Sequence, residues 1–104
     1  MASGRAYLDF IMEQLADVGE ITSRAMMGEY LLYYKGKLFG GIYDDRLLVK
    51  PVAAARALMP EAAWEAPYEG AKEMLLVEHV DDRDFLARLL RAMEPELPTP
   101  KKKR

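Results

Sequence analysis

Residues 29–50 read EYLLYYKGKLFGGIYDDRLLVK, and the fold turns on how that stretch is parsed. Three runs rich in Tyr, Leu, Ile, Val and Phe are visible: Glu29–Tyr34, Lys37–Tyr43 and Arg46–Lys50. Lys35-Gly36 and Asp44-Asp45 separate them. Two-residue gaps of this turn chemistry between apolar runs mark hairpins. The stretch therefore reads as a three-stranded antiparallel meander, with Tyr34 opposite Lys37 and Tyr43 opposite Arg46. Gly40-Gly41 lies inside the second strand, where glycine permits a bulge or a close backbone approach.

Regular alternation then sorts the side chains onto two faces. Leu31, Tyr33, Leu38, Gly40, Ile42, Leu47 and Val49 form an aliphatic face expected to meet helices. Tyr30, Leu32, Tyr34, Lys37, Phe39, Gly41, Tyr43, Arg46, Leu48 and Lys50 form the other. Three readings of that mixed aromatic, aliphatic and cationic face are open. It is a solvated face with cross-strand aromatic pairs, a self-association or protein-partner surface, or a platform for stacking single-stranded bases. A one-residue register error exchanges the two faces.

Outward from the meander, Leu8, Ile11, Met12 and Leu15 fall at helical spacing, so a helix is expected over 4–17. Ser3 is placed to cap it and Gly19 to end it. A short strand near Ile21–Arg24 follows. After the meander, Pro51 stops the sheet and Val52–Met59 reads as a modest alanine-rich helix. A short strand is expected near Trp64 and a buried one within Glu73–Glu78. Asp81 or Asp82 caps a last helix carrying the stripe Phe85, Leu86, Leu89, Leu90 and Met93. The order is that of an α+β domain, one antiparallel sheet of four to five strands with helices on one face. The domain is expected over 1–94, with an extended, disordered Pro/Lys-rich tail over 95–104.

Composition removes many functions. The 104 residues include no cysteine and a single histidine, His79. Disulfides, thiolate metal sites, cysteine nucleophiles and multi-histidine sites are thereby excluded. Neither serine, Ser3 or Ser23, sits in a Gly-x-Ser-x-Gly elbow. No phosphate-cradling glycine loop occurs. Asp44-Asp45 reads as a turn, and Asp81, Asp82 and Asp84 as a helix start. Met26-Met27 reads as core filler, with Gly28 supplying an unusual backbone angle. The formal charge is −2; Lys101–Arg104 carry four positive charges, leaving −6 on the rest. An acidic body is a poor general polyanion binder. No apolar run approaches the roughly 20 residues of a membrane span, and no secretion signal is visible. A cytoplasmic protein without cofactor or metal is expected.

Thr22-Ser23-Arg24-Ala25-Met26-Met27-Gly28-Glu29-Tyr30 resembles the Arg-x-Met-(Phe/Met)-Gly-x-Tyr signature of the TfoX/Sxy N-terminal domain. Tyr34-Lys35-Gly36-Lys37-Leu38-Phe39-Gly40 resembles that family's Gly-Lys-x-Phe hairpin, and Asp44–Lys50 its Asp-x-x-(Leu/Phe)-x-x-Lys strand. Arg24, Met27, Gly28, Tyr30, Gly36, Phe39 and Lys50 match the pattern. The resemblance covers residues 5–94, in family order, and implies a stand-alone single domain with a secretion-chaperone-like two-layer fold. It implies a regulatory, non-catalytic role. Founding members regulate competence genes together with a cyclic-AMP receptor protein, and carry a second domain of helix-hairpin-helix character that is not matched here.

The expected function is a non-enzymatic interaction module acting through protein contacts in transcription-linked regulation. Its partners would be a transcription regulator or a second copy, meeting Tyr30, Leu32, Tyr34, Lys37, Phe39, Tyr43, Arg46, Leu48 and Lys50. One alternative is direct nucleic-acid binding, with Tyr30, Tyr34, Phe39 and Tyr43 stacking and Lys37, Arg46, Lys50 and the tail supplying charge. Another is a small-ligand binder or enzyme using Arg24, Glu29 and Lys50 around a pocket.

Overall fold

A computed structural model describes residues 4–99. Elements follow in the order α1 (Arg5–Gln14), β1 (Ile21–Met26), β2 (Glu29–Tyr34), β3 (Lys37–Ile42), β4 (Leu47–Val49), α2 (Ala53–Leu58), β5 (Trp64–Glu65), β6 (Met74–Leu76) and α3 (Arg83–Met93). A single 3₁₀ turn, Glu94–Glu96, closes the described chain. The six strands form one antiparallel sheet in the order β1-β2-β3-β4-β6-β5. This is the expected α+β fold, with six strands where four to five were expected.

Three tight turns build the first four strands. Met27-Gly28, Lys35-Gly36 and Asp44-Asp45 all have positive φ at both central residues, the signature of type I′ hairpins. Tyr43 and Arg46 exchange backbone hydrogen bonds of 2.9 and 3.0 Å across the third turn, and Tyr34 opposes Lys37 across the second. The type I′ twist matches the twist of the flanking strands, so each turn returns the chain directly onto its neighbour. At the third turn Asp45 Oδ1 accepts the Gly4 backbone N–H at 2.9 Å, which ties the start of α1 to the hairpin. Ser3, expected as the cap, lies outside the described residues.

The sequence-based sorting of faces fails on β2 and the first half of β3. Leu32 opposes Gly40, but Tyr33 opposes Leu38, so Phe39 is an extra residue on β3. This bulge reverses the alternation of everything on the β2 side of it. A side chain at Gly40 is forbidden, since a Cβ there would lie 2.1 Å from the Leu48 carbonyl oxygen. Leu32, Tyr34 and Phe39 consequently face the helices and are buried in the core. Beyond the bulge the expected assignment holds, with Ile42, Leu47 and Val49 in the same core.

Against this face pack Leu8, Ile11 and Leu15 from the first helix and the turn after it, and Leu86, Leu89, Leu90 and Met93 from α3. The α3 stripe is as the spacing predicts, and Asp82 caps the helix by accepting the Phe85 N–H at 3.0 Å. α1 is shorter than expected, since 15–18 form turns. Leu97 is buried in the core, so the folded body continues past residue 94. The basic segment Lys101–Arg104 lies outside the described residues.

Candidate interaction surfaces

The nine residues expected on one open face are divided by the bulge. Leu32, Phe39 and Tyr34 are core, and Tyr30 is half-buried against it. Lys37 also points to the helix side, where its Nζ meets Glu94 Oε2 at 2.7 Å and the Glu94 carbonyl at 3.3 Å. That hydrogen bond holds the Glu94 carboxyl below its ordinary value. Tyr43, Leu48 and Lys50 lie on the opposite face, as expected, but only Lys50 remains partly open there. Arg46 is half-buried, pairing with Glu65 at 2.6 Å and donating from Nε to the Tyr43 carbonyl at 3.0 Å. Tyr30, Tyr34, Phe39 and Tyr43 therefore share no exposed face, which corrects the proposed base-stacking platform.

Gly41 explains how Tyr43 is accommodated. A Cβ on Gly41 would lie 2.8 Å from the Tyr43 ring and 2.5 Å from the Tyr30 carbonyl, so the ring covers the bare backbone. Burial pushes the Tyr43 phenol up, with Tyr68, Glu29 and Tyr33 adding in that order. The segment between β5 and β6 brings Pro67, Tyr68 and Ala71 to this side of the sheet. Together with Met26, Leu31, Leu38, Met74 and Lys50, it bounds a groove of about 580 Å³.

A second surface lies at the β1 edge. β1 ends the sheet, and its burial falls from partial at Ile21 to exposed over the next five residues. No other strand pairs with its outer edge among the described residues. Arg24 is exposed and forms no ion pair among the described residues. The hairpin tip carries Met27, 97% exposed at φ 52°, beside Met26 at 36%. Core filling is thus wrong for both methionines. The signal available in the sequence was Met27-Gly28 itself, a two-residue gap between strands of the same kind as Lys35-Gly36.

The remaining candidates have structural roles or stand alone. Asp44 N–H donates to Glu29 Oε1 at 3.1 Å. His79 stacks edge-on against Phe85 at 6.1 Å between centroids. Arg24 and Glu29 do not line the groove that holds Lys50, so those three do not surround one pocket. Among the described residues no group of three or more His, Asp or Glu is placed to hold a metal ion, and no helix is long and apolar enough to cross a membrane.

An uncharacterized 12.7 kDa protein in the trpE 5′ region of Spirochaeta aurantia is 32% identical over 102 residues, covering 97% of this chain and 89% of that protein. No solved structure matches. Residues 13–93, which hold the whole sheet, α2 and α3, match the TfoX N-terminal domain, and the chain belongs to that family.

Proposed function

We propose that this chain is a non-enzymatic regulatory module that works through protein contacts in transcription-linked regulation, with the β1–β2 hairpin as its contact surface. Family membership supports the regulatory reading. One observation carries the choice of surface: Met27, a large apolar side chain at a turn position of left-handed backbone, is 97% exposed. For a side chain other than Gly, Asn or Asp, that conformation costs about 1–2 kcal/mol. Such exposure gives no packing to offset the cost within the monomer. The type I′ turn sets that angle at Met27 as it does at exposed Lys35; what distinguishes Met27 is a large apolar side chain held in water, which marks a contact site. The adjoining edge of β1 offers unpaired backbone donors and acceptors, and its six residues contain no proline and one charge. A partner's extended segment adding alongside β1 would satisfy those groups and bring its side chains to Arg24, Met26 and Met27.

The test is affinity capture from the source cells, comparing the wild type with Met27→Asp and Arg24→Glu. Neither side chain contributes to the core, so both variants should fold. Loss of a captured transcription-linked protein with both variants supports the reading. Retention of every captured protein by both refutes it. Sedimentation of the same variants tests the β1 edge as a self-pairing surface.

A further inference from the structure

We infer that the groove between the sheet and the β5–β6 segment binds a small amphipathic carboxylate, with Lys50 receiving the carboxylate. Three features carry this. Gly40 of β3 lines the groove and contributes only backbone there. The lining is largely apolar, with Leu31 and Leu38 from the sheet joined by Met26, Pro67, Tyr68 and Met74. At about 580 Å³ the space falls within the ~300–1,000 Å³ range of small-molecule sites.

Charge sets the ligand class. Lys50 is half-buried at the lining and makes no side-chain hydrogen bond or ion pair among the described residues. A cation partly removed from water beside apolar side chains gains most from an anion delivered with its own apolar body. The other charged groups at the rim do not fill that role. Glu96 already accepts the Ala54 N–H at 2.8 Å, and Glu73 and Lys72 are exposed to water. Octanoate has the required parts, one carboxylate and an unbranched tail.

Titration of protein carrying ¹³C-methyl methionine with sodium hexanoate, octanoate and decanoate tests this. Met26 and Met74 line the groove and should shift saturably; Met12 and Met93 lie elsewhere and should not. Affinity should rise by up to about fourfold per added methylene. Lys50→Met should weaken octanoate at least about tenfold, the loss of one charge-assisted hydrogen bond. It should leave 1-octanol binding unchanged, and Lys50→Arg should retain octanoate. The inference is overturned if all methionines shift alike or none does. Affinity independent of chain length would also overturn it, as would Lys50→Met binding octanoate like the wild type. If Lys50→Met does not fold, loss of octanoate binding by folded Lys50→Arg overturns it.

Discussion

Truncating Phe39 and Leu38 separately to alanine tests the bulge on which both surfaces depend. The two residues are neighbours on β3, and regular alternation puts Leu38 in the core and Phe39 on the open face. The structure reverses them: Phe39 is fully buried, and Leu38 is half-buried at the groove. Phe39→Ala removes a ring from the centre of the core and leaves a cavity, which costs about 3–5 kcal/mol. Leu38→Ala removes a partly wetted side chain and should cost about 1 kcal/mol. A domain of this length has a total stability of about 5–15 kcal/mol, so the first variant loses a large fraction of it. At ~4–8 °C per kcal/mol, a 3 kcal/mol loss lowers the melting temperature by about 12–24 °C. Urea unfolding followed through the single Trp64 gives both values from the midpoint shifts. Equal costs, or a larger cost for Leu38→Ala, would refute the bulged register.

Further predictions concern the turns, glycines and termini. Met27→Asn creates an Asn-Gly type I′ turn and should raise stability by about 0.5–1 kcal/mol, while weakening partner capture; thermal unfolding and the capture assay read the two effects. Gly41→Ala places a methyl group against the Tyr30 carbonyl and the Tyr43 ring, and should cost about 1–3 kcal/mol by denaturant titration. Asp82→Ala removes the α3 cap and should cost about 1 kcal/mol in the same assay. The Glu94 carboxyl titrates lower when folded, because Lys37 bonds the carboxylate. Its stabilisation is therefore complete above the usual value near 4.5 and is lost as pH falls through the lower folded value. Glu94→Gln should flatten that acid limb of a stability–pH curve; an unchanged limb would rule out this pair as its source.

Local chemistry in the chain determined much of this protein. Lys35-Gly36 and Asp44-Asp45 set two hairpins, because a two-residue link between strands leaves few backbone solutions. The α3 stripe and Asp82 cap were legible because helix periodicity and capping are local. The family signature was legible as an ordered pattern spanning the meander. Tertiary structure alone decided which way the sheet faces. A single extra residue at Phe39 reverses the alternation, and the place where that residue is absorbed depends on how β3 fits both β2 and β4 at once. Gly40-Gly41 permitted a bulge without fixing its position. Tertiary structure also left Met27 at a free tip and Lys50 in an apolar groove, since exposure depends on which segments pack over a residue.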